Sequence, residues 1–188
     1  MANHNKSTLS DEEIIYEIVQ NGRHYLYEEL YTRYFKKVLD KSYSFLKNRQ
    51  LAEESATDIL SKTYEKLPSF KETSSFSSWL FSITYNHCID YLRYKKKLHY
   101  PEWNQANVIP EIIDETEEDL TELNYANLMA IMEQIHPEEK AMLQMKYHDN
   151  LSIKDISIAL RVSESAAKMR LKRAKARVLY LYKEKYAE

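Results

Sequence analysis

Apolar residues recur at helical spacing along almost the whole chain, and polar punctuation separates one run from the next. Ser10 precedes Asp11-Glu-Glu-Ile-Ile-Tyr-Glu-Ile-Val, the pattern of a capped amphipathic helix that ends near Gly22. A longer helix, rich in Tyr and Phe, is predicted from about His24 to Leu46, and another from about Leu51 to Leu67, stopped by Pro68. Ser69 to Ser75 is a polar loop, and Phe76 to about Lys97 is the next helix. Leu98 to about Thr116 is acidic, contains Pro101 and Pro110, and is expected to be an irregular linker. Helices are then predicted over about Glu117 to Ile135 and, opened by Pro137 at its first position, to about His148. Asn150 suits the left-handed position that ends a helix.

Two more helices follow, joined by a tight turn. Ser152 with Asp155 makes a capping-box-like start, and Ile153, Ile156, Ala159 and Leu160 keep helical spacing until Arg161-Val162-Ser163 breaks it. Ser163 is a good N-cap for the second helix, and Glu164 suits its first turn. In that helix Ala167, Leu171, Ala174, Val178 and Leu181 share one face, while Lys168, Arg170, Lys172, Arg173, Lys175 and Arg177 fill the rest. Residues 161–177 carry seven Lys or Arg against one acid, which attracts phosphate by charge alone. An isolated basic helix is commonly just a solvated face. Its capped predecessor, at the right distance, makes the pair a helix-turn-helix whose second helix reads DNA.

Composition narrows the class. The 188 residues allow two domains with modest cores, and a single Gly excludes Gly-rich phosphate loops and dinucleotide fingerprints. The fold class expected is all-α. One cysteine, Cys88, permits no intrachain disulfide and no Cys-rich zinc site, and it fits a reducing, cytoplasmic setting. The six His are scattered without a His-Glu-x-x-His, and His87 with Asp90 is the only His-x-x-Asp pair, so neither a metal, a cofactor nor a catalytic constellation is expected. No apolar run reaches membrane-spanning length and the first ten residues lack an apolar signal core, so no membrane insertion or export is expected.

The net charge of −2 hides segregation. Residues 1–97 hold 15 basic and 13 acidic side chains, residues 98–139 hold 11 acids and no Lys or Arg, and residues 140–188 hold 12 basic and five acidic. Screening confines each field to roughly 8–10 Å, so local charge decides what each part attracts.

Two separated segments carry a family resemblance. Phe76-Ser-Ser-Trp-Leu-Phe-Ser-Ile-Thr-Tyr-Asn-His-Cys-Ile-Asp-Tyr-Leu-Arg-Tyr-Lys-Lys-Lys97 resembles the Phe-x-x-Trp-Leu…Ile-x-x-Asn-x-x-x-Asp-x-x-Arg signature of bacterial extracytoplasmic-function sigma factors. Pro137 to Leu179 looks like their region 4, and Ala52-Glu-Glu-Ser-Ala-Thr-Asp-Ile-Leu60 is similar to their polymerase-binding helix. The resemblance implies two helical domains, region 2 over residues 10–97 and region 4 over 117–186, joined by an acidic linker at 98–116. It implies a non-enzymatic subunit that binds core RNA polymerase, opens the promoter −10 element and reads the −35 element. Control by an anti-sigma factor is expected with it. The linker would be a self-repelling spacer, a mimic of nucleic-acid charge in the polymerase RNA channel, or both, since the two roles are compatible.

The same resemblance assigns residues. Glu54, Thr57, Asp58 and Ser61 form an outward stripe suited to a basic docking surface. Asn86, Asp90, Arg93 and Lys97 share a face toward the −10 element, Asn for a base edge and the cations for phosphate. The loop from Lys71 to Ser75 is the candidate pocket for an extruded base, and Tyr85, Tyr91 or Tyr94 could stack on bases. Phe76 and Trp79 have core spacing, and His87 lies toward that same face. Ala166, Lys168, Met169, Arg170, Lys172 and Arg173 fall where the family reads the −35 element. Arg161 stands where relatives often have Gly. An ordinary helix-turn-helix regulator with an unrelated N-terminal dimerisation or sensor domain is the alternative, and it leaves the Phe76–Lys97 signature unexplained.

Overall fold

The computed structural model describes residues 9–72, 74–95, 97 and 123–186. Among these residues there are eight α-helices and no strand: α1 (Asp11–Asn21), α2 (Tyr27–Leu46), α3 (Arg49–Lys66), α4 (Phe76–Lys95), α5 (Tyr125–Met132), α6 (Pro137–Leu143), α7 (Ile153–Leu160) and α8 (Glu164–Tyr186). The chain divides into two compact units, Met1–Asp90 and Tyr91–Glu188. The division falls inside α4, seven residues before the boundary expected from sequence.

In the first unit, α2 and α3 pack against each other along their length, with α1 and the start of α4 completing the core. Ser10 caps α1 in a full capping box with Glu13, and Gly22 ends it at φ 66°, a conformation that costs glycine little. Leu30, Tyr34 and Val38, four apart, place one stripe of α2 inside against Ala56, Ile59 and Leu60 of α3. Asp11 ties α1 to α2 by accepting from the Tyr34 hydroxyl and from Arg33 Nη1 at 2.7 Å. Phe76 is buried with Tyr34 edge-on to it, and Trp79 packs on Phe70, so both aromatics serve the core as their spacing required. Ser75 caps α4 through the Ser78 N–H at 3.2 Å. Cys88 is buried, and loss of water pushes its thiol up to about 12. It should therefore resist iodoacetamide at pH 8 in the folded protein and react once denatured; rapid labelling without denaturant would contradict this burial.

In the second unit α8 is the spine, and α5, α6 and α7 all lie on it. Ala167, Leu171, Ala174 and Val178 are buried as their spacing predicted, while Leu181 at the end of that face is half-buried; Ile156, Ala159 and Leu160 of α7 and Met142 of α6 are buried as well. Three local features differ from the sequence expectation. Asn124 caps α5, accepting from Asn127 N, so this helix starts at Tyr125 rather than near Glu117; residues 117–122 and the expected linker at 98–116 lie outside the described residues. The helix opened by Pro137 changes to a π-helical turn over Gln144–His148, a register that leaves no periodic trace in sequence. Finally, α4 ends at Lys95, and Lys97 has a φ of 53°, so it leaves the helix face it was grouped with.

Candidate nucleic-acid interface

The helix-turn-helix forms as its caps require. Ser152 Oγ accepts from Asp155 N at 3.1 Å and Ser163 Oγ from Ala166 N at 3.1 Å. Between them Arg161 takes the left-handed conformation at φ 55°; its N–H bonds the Ile158 carbonyl, and the Val162 N–H bonds that of Ser157. This is the Schellman closure that glycine usually supplies, and a β-carbon there costs of order 1 kcal/mol. Asn150, at φ 54°, makes the corresponding stop before α7, as expected.

Lys168, Met169 and Lys172 are exposed, and with Ser165 they line one shallow hollow on the outer face of α8. Their spacing of three, four and seven from Ser165 places them on one stripe, the geometry a major groove accepts. An exposed Met between two Lys offers an apolar contact beside two cationic donors. Ala166 and Arg173 are half-buried at the edges of this stripe.

Arg170 is placed differently from its neighbours. Its Nη1 lies 3.3 Å from Oε2 of Glu138, which is 1 % exposed, and Arg177 Nε lies 3.4 Å from Oε1 of the equally buried Glu139. Two cations counted toward DNA are thus turned to carboxylates of α6. Sequence reasoning missed these acids, because Pro137-Glu-Glu has the composition of a solvated first turn. Glu139 also accepts from His136 N at 3.3 Å, while the Glu138 N–H donates to His136 Nδ1 at 3.2 Å, so the pair caps its own helix.

The α4 set is less open than its spacing implied. Asn86 and Asp90 are half-buried, and Asn86 Oδ1 is enclosed without a hydrogen-bond partner. Arg93, in the turn of α4 that belongs to the second unit, donates from Nε to Glu138 Oε1 at 2.8 Å. Among the tyrosines named for stacking, Tyr85 is wholly buried, edge-on to Phe45 and hydrogen-bonded from Lys41 Nζ at 3.2 Å, which removes it from base contact. Tyr94 is largely exposed and Tyr91 half-buried. In the loop before Phe76, Glu72 adopts φ 54°, and Thr73 lies outside the described residues.

On α3, Glu54, Thr57 and Ser61 are exposed and Asp58 is partly so. The two hydroxyls donate back to helix carbonyls, Thr57 to Glu53 and Ser61 to Thr57, leaving Glu54 and Asp58 as the charged groups of the stripe. Asp58 Oδ2 accepts from Lys62 Nζ at 2.7 Å and lies 3.6 Å from His87 Nδ1. Burial holds the His87 imidazole below its ordinary range despite the attraction of Asp58. Folding therefore favours the neutral ring. Its contribution to stability is present above about pH 6.5 and is lost as pH falls through the lowered value. Unfolding midpoints should drop more steeply below pH 6.5 in the wild type than in His87→Asn; parallel curves would show that His87 carries no such linkage.

Among the described residues the fold is a two-unit, all-helical one with a helix-turn-helix in its second unit, the architecture of a DNA-binding protein. Sigma-70 region 2 matches residues 30–98 and sigma-70 region 4 matches residues 125–178. The chain is similar to the extracytoplasmic-function sigma factor SigW of Bacillus subtilis (24 % identity, over 84 % of this chain and 89 % of SigW). It is also similar to SigM of Mycobacterium tuberculosis, at 28 % identity over 92 % of this chain and 84 % of SigM. In fold it resembles CnrH, solved with the cytosolic domain of CnrY (TM-score 0.58, 16 % identity, 92 % of this chain and 97 % of that one). It likewise resembles the sigma factor RpoE of Bartonella quintana, solved with the anti-sigma factor NepR (TM-score 0.56, 18 % identity, 85 % of this chain and 98 % of that one). The chain belongs to the sigma-70 family, in its extracytoplasmic-function branch, and is an RNA polymerase sigma factor.

Proposed function

We propose that the region 2 portion, residues 10–97, docks on core polymerase and engages the −10 element, while residues 117–186 read the −35 element. The observation that carries this is the stripe of Lys168, Met169 and Lys172 on a properly capped recognition helix, inside the segment that matches region 4. Base reading falls first to these three, with Ala166 and Arg173 at the edge; Arg170 acts by holding α8 on Glu138. Asn86 and Asp90 remain the −10 candidates, with Tyr94 as the stacking side chain; Arg93 is held by Glu138, and Lys97 stands off the helix face on which the four were grouped.

Glu54, Thr57, Asp58 and Ser61 form the polymerase-docking stripe, led by Glu54, whose carboxylate accepts from the neutral amide of Gln50 at 3.0 Å and forms no ion pair among the described residues. The protein catalyses no reaction of its own and works in the cytoplasm beside polymerase and promoter DNA; among the described residues no helix is long and apolar enough to cross a membrane. An anti-sigma factor, as in the solved RpoE complex, is the expected regulator.

Pull-down of purified core polymerase in the absence of DNA tests the docking half. The wild-type chain should retain core, and Glu54→Arg should retain markedly less with an unchanged helical circular-dichroism spectrum. Equal retention would move the docking face off α3.

A further inference from the structure

The first unit holds an aromatic hollow whose inner walls, Tyr27, Tyr31 and Tyr64, pack on the core and whose mouth, at Tyr25, faces outward. The 3₁₀ turn His24–Leu26 and the start of α2 face the last turns of α3 across an open hollow of about 520 Å³ lined by Tyr25, Tyr27, Tyr31 and Tyr64, with His24, Ser61, Glu28 and Glu65 around them. The rings are walls rather than a stack. Tyr27 lies 4.8 Å from Tyr64 at 53°, and His24 lies 6.1 Å from Tyr64 at 80°. They are held in place: Tyr27 Oη donates to the Leu60 carbonyl, and Tyr64 Oη pairs with His24 Nδ1 at 2.9 Å. Tyr25 stands 71 % exposed, which an isolated packing role does not explain. Glu28 and Glu65 are exposed, and among the described residues neither forms an ion pair.

Angled tyrosine faces with two carboxylates beside them attract an organic cation through the ring quadrupoles and the adjacent negative charges. The same carboxylates repel a nucleic-acid backbone. We propose that this hollow receives an arginine side chain from the protein surface that docks on α3. Continuity supplies the source: Glu54, Thr57, Asp58, Ser61 and Glu65 follow at helical spacing, so Ser61 belongs both to the docking stripe and to the hollow. A planar guanidinium suits such walls better than a compact ammonium, because it can stack on a ring while its edge meets a carboxylate. This rests on the reading of α3 as the polymerase-docking helix.

The test has two arms on the full chain. Methylguanidinium is titrated while tyrosine ring resonances are followed by NMR, and core-polymerase affinity is measured for the same proteins. Tyr25→Ala and Glu65→Gln alter exposed side chains, so the fold is retained. Each should weaken methylguanidinium binding and core binding by about two- to five-fold. Ring shifts that are absent, or unchanged by both substitutions, would overturn the site whatever the core affinity. Ring shifts that respond while core affinity does not would overturn the assignment of its occupant. A wild-type chain that fails to bind core at all would refute the docking reading, and the methylguanidinium arm would still report on the hollow.

Discussion

Glu138→Ala is expected to destabilise the second unit by about 3 kcal/mol. The carboxylate is almost wholly buried at the first turn of α6, where the helix dipole favours it, and it receives Arg93 Nε at 2.8 Å and Arg170 Nη1 at 3.3 Å. Removing it leaves two guanidinium groups without their shared counter-charge. Breaking a buried pair costs about 3–5 kcal/mol, and because both arginines are about a quarter exposed the lower end applies. Glu138→Gln keeps the shape and one acceptor and should recover part of the loss. Urea unfolding followed by circular dichroism reads the difference, with the exposed Glu184→Ala as a control within about 0.5 kcal/mol of wild type. A Glu138→Ala protein within 1 kcal/mol of wild type would mean that the cluster does not brace α8.

The second large effect lies on the outer face of α8. Lys168→Ala should cost about 1–3 kcal/mol at the preferred −35 sequence, a five- to 150-fold loss, and should flatten the preference at one position. Lys175, half-buried and a turn beyond the exposed stripe, should behave as a phosphate anchor. Lys175→Ala should weaken all sequences alike and shallow the salt dependence by about one unit. Holoenzyme binding to a randomised −35 library at two salt concentrations separates the two. Equal, sequence-independent losses would make Lys168 an anchor as well and shift specificity to DNA shape.

What was legible in the sequence was local. Ser10, Ser152 and Ser163 announced their caps, Asn150 its left-handed turn, and Ala167, Leu171, Ala174 and Val178 their buried face, because each signal spans only a few residues of one helix; the left-handed turn at Arg161 was suggested only by the glycine that relatives often carry there. What was not legible depends on distant segments. Glu138 and Glu139 look solvated until Arg93, Arg170 and Arg177 arrive from 32 to 45 residues away in the case of Glu138, and 38 in that of Glu139. Asn86 shares a helical face with Arg93, yet its carbonyl is enclosed, since spacing gives a direction and not the neighbour that fills it. The tyrosine hollow needs α2 and α3 brought together across 40 residues, from His24 to Tyr64. The π-helical turn and the division inside α4 have no sequence period at all.

Run-off transcription with purified core polymerase on a genomic promoter library tests the sigma-factor reading most directly. Core supplemented with this chain should start transcripts at discrete sites that share −10 and −35 elements, and core alone should not. Transcripts no more site-specific than those of core alone, from a folded chain, would contradict it.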